Sequence, residues 1–447
     1  MFRIQKQLML LLVMFLGGMF ALSAQKPLQL SLIEAVQMAH EKNTNVLNSK
    51  LDLAMSEKKI RETIAMGLPH VDLKSAYTYL PKVPTLSFDM PGGDPNAPPS
   101  EPISLGVKNN LVTDITASQL IFNGSYIVGL QATKVLHNLS IQNDEKTRLD
   151  VNESVINTYQ MIQLAEESLK ILQQNLDNVL KTQSEISEMY KQGFMEKTDV
   201  DQLEVTANVL RNSMSQVESN LDMAYRLLKI QVGIDESIPV VVSDSTETFE
   251  TLMLASNQLI AEEFILENNV DYQLAQTSKQ LAELNVKNEK SSYLPVITGF
   301  YNYSHKMNAP AFDFAPKNMF GINMNLPIFA SGQRKALIDQ RILEVEKREN
   351  TRKFVSQSLI MQANQFKNDV SIKADKYKNQ KLSKELSDAI YQRTLEKYRQ
   401  GMATSLDLAN TQTQYLNNLT NYYQFMFELQ GSINQLEKLY NINQITE

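Results

Sequence analysis

Apolar residues recur along this chain with two different periods. Near the C-terminus Leu408, Tyr415, Tyr422, Leu429 and Leu436 fall every seven residues, and Leu419, Met426, Ile433 and Tyr440 form a second series offset by four. That spacing is the seam of a coiled coil. Elsewhere the period is two. Val71, Leu73, Tyr77 and Tyr79 alternate with Asp72, Lys74 and Thr78, and Phe320, Ile322, Met324 and Leu326 alternate with Gly321, Asn323 and Asn325. Leu111, Thr113, Ile115 and Ala117 alternate in the same way with Asp114, Thr116 and Ser118. The two periods predict helices over about 31–66, 125–191, 195–232, 256–290, 333–399 and 402–440, and strands over about 70–79, 111–122, 296–304 and 319–329. Ser31 followed by Glu34 is a capping-box signature, with Leu30 and Ala35 as a weak staple. Gly193 and Gly401 interrupt otherwise continuous helical patterns, where a left-handed residue closes one helix before the next begins. A helix of about 67 residues would be roughly 100 Å long, longer than any globular core.

The pattern occurs twice. Tyr190-Lys-Gln-Gly193 returns as Tyr398-Arg-Gln-Gly401, and Leu120-Ile-Phe-Asn-Gly124 as Leu326-Pro-Ile-Phe-Ala-Ser-Gly332, so both glycines shift by 208 residues and stay 69 apart. Leu68-Pro69 and Leu294-Pro295 lie 226 apart. The surplus falls in 81–110, whose seven prolines predict a long exposed loop. Subtracting 208 from the first heptad series gives Val200, Ala207, Met214, Leu221 and Leu228, so both halves share that seam. In the second series Arg211 and Glu218 replace two apolar members. The expected organisation is a first repeat over 25–250 and a second over 251–447.

Composition removes whole classes of function. The 447 residues include no Cys, which excludes disulfides, thiolate metal sites and a Cys nucleophile. The four His are scattered, no Gly-rich phosphate loop runs into Lys-Ser or Lys-Thr, and a net charge of −7 gives no footprint for nucleic acid. Neither an enzyme nor a bound cofactor is expected. Arg3 and Lys6 precede an apolar run from Leu8 to Leu22 that ends in Ser23 and Ala24. These features predict a signal peptide over 1–24, cut after Ala24 or Ser23, with no Cys at the cut to be lipidated. No later stretch is apolar and long enough for a spanning helix. Any membrane insertion must then use strands, and ten-residue segments with one apolar face suit a bilayer-crossing barrel. A small soluble sheet packed on the helices would show the same alternation. Four strands cannot close a barrel, and an open edge in lipid leaves backbone groups unpaired, so other copies must complete it. Three copies would give twelve strands and four would give sixteen.

The residues that repeat, together with Leu30-Ser-Leu-Ile-Glu34 through Asn43 and Gly67-Leu-Pro69, resemble the TolC-like outer-membrane efflux channels from Leu30 to about Asn441. The resemblance implies a mainly α fold with a small β part. In it a long α-helical coiled-coil barrel joins a transmembrane β-barrel, which trimerisation closes at twelve strands. Residues 234–255, with Val240-Val-Val242, would lie in a mixed equatorial belt. The resemblance also implies partners: two further copies, outer-membrane lipid, a periplasmic adaptor, and an inner-membrane pump that is proton-driven or an ABC transporter. Pro69, Gly124, Pro295 and Gly332 would mark the helix–strand junctions, and Gly193 and Gly401 the hairpin tips. Carried over by position, Asp199, Asp407 and the locking Tyr398 would line the periplasmic entrance. A second family acid there is Asn410 in this chain, and the family's latching cation is Ala403, with Lys197 and Arg399 as nearby substitutes. The implied role is an exit duct for drugs or other small toxic molecules across the periplasm and outer membrane. Type I protein secretion uses the same fold, and a periplasmic coiled-coil adaptor or scaffold without a pore is the alternative of another class. Neighbouring genes would separate drug efflux from secretion.

Overall fold

The computed structural model describes residues 27–86, 103–245, 248–309 and 313–442; the expected signal peptide and most of the proline-rich loop lie outside them. The order of elements is β1 (Leu28–Leu30), α1 (Leu32–Lys42), α2 (Thr44–Ala65), β2 (His70–Tyr79), β3 (Thr85–Leu86), β4 (Ile103–Ser104), β5 (Asn109–Phe122), α3 (Gly124–Lys191) and α4 (Lys197–Val232). There follow β6 (Val240–Val242), α5 (Phe249–Ala261), α6 (Val270–Ser291), β7 (Val296–Lys306), β8 (Asn318–Asn325), α7 (Gln333–Arg399) and α8 (Ser405–Tyr440). The halves match closely: α3 and α7 have 68 and 67 residues, and α4 and α8 have 36 each.

Two compact units result, one from residues 1–51, 142–273 and 355–447, the other from 52–141 and 274–354. The first unit is helical, and all four buried apolar clusters of the described residues lie in it. Its seam follows the heptads, with Leu408, Leu419, Met426, Leu429, Ile433 and Leu436 all buried on α8. Aromatic rings reinforce it: Tyr391 and Tyr415 stack at 5.7 Å, and the hydroxyls of Tyr377 and Tyr422 meet at 2.9 Å. β1 and β6 form a parallel pair, tied to α3 by Tyr159, whose hydroxyl donates to the Leu30 carbonyl at 2.9 Å. Ser31 and Glu34 form the expected capping box at the start of α1.

Three predicted elements are revised, the two helices for a local reason. The helix expected over 31–66 breaks at Asn43, whose side chain caps α2 through the Asn45 N–H and donates to the Gln231 carbonyl at 2.7 Å. The helix expected over 256–290 is two helices, with a 3-10 turn (Leu266–Asn268) between them. There Asn269 repeats the device: it accepts from the Asp271 N–H and donates to the Leu439 carbonyl at 2.9 Å. Asn43 and Asn269 are 226 apart and their carbonyl partners 208 apart, so the duplication extends to a buried hydrogen bond. The fourth strand ends at Asn325 rather than 329, which leaves Phe329 outside any strand.

The second unit holds a four-stranded antiparallel sheet in the order β2-β5-β7-β8, so β2 and β8 are its edges. The register sets Val71 opposite Ala117, Leu73 opposite Ile115 and Tyr77 opposite Leu111, and it carries the same face through Tyr301 to Phe320. That apolar face is solvent-exposed along both edge strands. The opposite face bears Asp72, Lys74, Asp114 and Asn302. No described helix is long and apolar enough to cross a membrane.

Candidate functional site: the paired hairpin turns

Each long helix ends in the same turn. Gly193 has φ +82° and Gly401 φ +72°, the left-handed region a glycine occupies without strain. At the first turn the N–H of Phe194 reaches the Met189 carbonyl at 2.9 Å and that of Gly193 the Tyr190 carbonyl at 2.9 Å. At the second, Met402 reaches Lys397 at 2.8 Å and Gly401 reaches Tyr398 at 3.0 Å. These paired bonds close a helix whose last carbonyls would otherwise be orphaned. Directly after each glycine an apolar side chain stands in solvent, Phe194 at 73 % and Met402 at 65 % exposure.

The next helix begins four residues after each glycine, and its capping places the two acids. Asp199 accepts from the Glu196 N–H at 3.0 Å. Asp407 accepts from the Thr404 N–H at 3.0 Å and the Thr404 hydroxyl at 2.6 Å, and that hydroxyl accepts in turn from the Asp407 N–H at 3.1 Å. Both carboxylates therefore sit at helix N-termini, where free N–H groups and the helix dipole favour negative charge. The Thr404 hydroxyl and then its backbone N–H hold the Asp407 carboxyl below the usual carboxylate range. Thr404 and Asp407 form a capping box in which an Asp takes the place of the more usual Glu or Gln.

Behind the turns, one buried apolar cluster draws on all four helices: Leu176 and Ile186 of α3, Leu203 and Leu210 of α4, Tyr391 and Tyr398 of α7, and Leu408 of α8. Tyr398 is fully buried, and burial first, then the charge of Asp199, pushes its hydroxyl up to about 12. That hydroxyl has no hydrogen-bond partner among the described residues. The same holds for both amide atoms of Gln412, which occupies the second heptad series one step before Leu419. A buried polar group without a partner costs about 1–3 kcal/mol, and removing it is neutral or favourable. Tyr398→Phe and Gln412→Leu should each leave the thermal midpoint unchanged or raise it. Thermal unfolding followed by circular dichroism checks this, and a fall in midpoint for either would reveal a partner.

The remaining candidates fall as follows. Asn410 is exposed on the first turns of α8. Ala403 packs on the four-helix cluster. Arg399 bridges to Glu185 of α3 at 3.2 Å, linking the two hairpins, whereas Lys197 makes no ion pair among the described residues. Pro69 separates α2 from β2 and Pro295 separates α6 from β7; Gly124 opens α3 and Gly332 immediately precedes α7.

Residues 263–441 match the profile of the outer membrane efflux protein family. No curated protein matches the whole sequence closely enough to count as a relative. Among solved structures, the outer membrane protein VceC of Vibrio cholerae superposes with a TM-score of 0.70 at 13% identity, covering 92% of this chain and 95% of that one. The CmeC outer membrane channel of Campylobacter jejuni gives 0.73 at 15% identity, over 93% of this chain and 87% of its own. The open state of the MtrE outer membrane channel of Neisseria gonorrhoeae gives 0.68 at 15% identity, over 92% and 88%.

Proposed function

We propose that this chain, a member of the outer membrane efflux protein family through residues 263–441, is the outer-membrane exit duct of a tripartite efflux pump. It is a passive conduit and not an enzyme. The observation that carries the reading is the sheet of the second unit. It has four strands of 8 to 14 residues, an apolar outer face, two unpaired edges and, among the described residues, no buried apolar cluster beneath it. A lipid surface covers such a face, and copies of the same chain satisfy such edges. Three copies close twelve strands. The chain is exported by a signal peptide over 1–24, and the two repeats, 25–250 and 251–447, each supply two strands and one long helical hairpin to the trimer. The hairpin turns at Gly193 and Gly401 form the periplasmic entrance, with Asp199, Asp407 and Asn410 at its mouth and the locking Tyr398 buried behind them. Phe194 and Met402, set in solvent at those turns, are the apolar knobs a periplasmic adaptor would cover, and the adaptor links the duct to an inner-membrane pump.

Crosslinking of the full chain in mild detergent, followed by conductance in planar bilayers, tests the reading. Trimers and discrete ion-conducting steps are expected. Monomers alone, extracted without detergent and silent in bilayers, would overturn it in favour of a soluble periplasmic scaffold.

A further inference from the structure

The apolar alternation of β8 does not stop where its hydrogen bonds do. Phe320, Ile322 and Met324 share the outer face, and past Asn325 the chain continues Leu326-Pro-Ile-Phe-Ala-Ser-Gly332 with no ladder partner. Ile328 and Phe329 in that segment are 92 % and 86 % exposed, among the most exposed large apolar side chains described. The segment is tied in place on its other side. Arg334, from the first turn of α7, donates to the Pro327 carbonyl at 2.7 Å, and its guanidinium lies 5.3 Å from the centre of the Tyr293 ring. The chain is thereby held out from the sheet with its two apolar side chains facing away from protein.

The junction is also cationic. Lys335 is exposed and makes no ion pair among the described residues, and the same holds for Lys290. Of the nearby acids, Glu289 is already bridged by Arg341 at 3.3 Å, and Asp339 makes no pair with Lys335 four residues before it. At this end of the sheet all four strands join helices, and Leu68, Ile121 and Leu294 are exposed there too. Apolar side chains continuous with a lipid-facing strand, an amphipathic Tyr and unpaired cations make up an interfacial composition.

We propose that the Leu326–Gly332 junction, with Tyr293, Arg334 and Lys335, anchors the protein on anionic phospholipid headgroups of the periplasmic leaflet. This rests on the reading of the sheet as a membrane wall. Ile328 and Phe329 enter the acyl boundary at the foot of the barrel, and Lys335 and the free edge of Arg334 face the phosphates. Each such cation near an anionic surface tightens association with it roughly fivefold.

The chain contains no Trp, so a single introduced Trp reports from one place. Full-length Phe329→Trp is reconstituted into phosphatidylethanolamine vesicles containing about one-fifth phosphatidylglycerol, with brominated acyl chains on one lipid or the other. Phe320→Trp, on the strand face, is the control for membrane insertion. Indole emission from the Phe329→Trp protein should be quenched at least twofold more by brominated phosphatidylglycerol than by an equal amount of brominated phosphatidylethanolamine. Adding Lys335→Gln, or salt near 1 M, should abolish the difference. Quenching at position 320 with none at 329 would overturn the anchor and leave the barrel standing. Equal quenching of the Phe329→Trp protein by both lipids would overturn the anionic preference. No quenching at either position would remove the membrane wall and the anchor with it.

Discussion

Gly233→Ala is expected to destabilise the helical unit by about 2–5 kcal/mol, well beyond the same change at either hairpin tip. Gly233 ends α4 with φ +69°, a conformation that costs an L-residue roughly 1–2 kcal/mol. A Cβ there would also lie 2.6 Å from the Lys42 carbonyl oxygen and 2.9 Å from its carbon. Those are backbone atoms, and they cannot retreat freely, because the adjacent Asn43 is hydrogen-bonded back to Gln231 near the end of the same α4. Gly193 and Gly401 share the left-handed conformation but have nothing within 4 Å of a Cβ, so alanine there pays only the backbone cost. Gly233→Asn separates the two effects. Asn tolerates the left-handed region, and Asn441 closes α8 in the same conformation at φ 58° in the equivalent position. At 233 the overlap with Lys42 should persist, so Asn should rescue little. Thermal unfolding in detergent decides: equal midpoints for the Gly233→Ala and Gly193→Ala proteins would mean that the α1–α2 joint gives way without cost.

Gly233 was not singled out by the sequence, while Gly193 and Gly401 were, and the reason is local. The tip glycines interrupt a heptad pattern and repeat at an interval of 208, so periodicity exposes them. The close approach of Gly233 to Lys42 joins residues 191 apart in the chain, and no periodicity records it. The same division runs through the fold. The α8 seam, its copy on α4 and the apolar faces of the strands were legible because each depends on spacing within one element. The break between α5 and α6 was not. Apolar residues continue through Phe264, Ile265 and Leu266, and the chain leaves the helix because Phe264 stacks on Tyr440 at 5.6 Å and Asn269 reaches across to Leu439. The β1–β6 pair has three residues a side and brings together positions about 212 apart, too short and too distant for any window of sequence. At the hairpin turns, the two glycines were legible from the repeat. That Asp199 and Asp407 each cap their own helix, and that Tyr398 and Gln412 bury polar atoms without partners among the described residues, needed the packing.

Replacing Asp199 and Asp407 together by Asn should abolish cation preference in the assembled channel while leaving its shape intact. In the proposed trimer they would place six carboxylates at one mouth. Like charges around a narrow opening focus the field, enrich cations and favour block by polyvalent cations from the periplasmic side. Asn retains an acceptor oxygen for the Glu196 and Thr404 N–H groups, so the capping geometry survives and the charge does not. Positions 410 and 403, where the family carries a second acid and a latching cation, hold Asn and Ala in this chain. Salt should therefore weaken the preference steeply, as the Debye length shrinks from about 10 Å at 0.1 M to about 3 Å at 1 M. The pH dependence has a definite sign. The Asp407 carboxyl is held below its ordinary value by Thr404, so its charge and its cap are present at neutral pH. Both persist as the pH falls through the usual Asp range near 4, and they are lost only when it passes the depressed value. Single-channel recordings at two salt concentrations and across that pH range test this. A double-Asn channel with wild-type selectivity and wild-type block would show that these acids cap their helices and do nothing at the mouth of the pore.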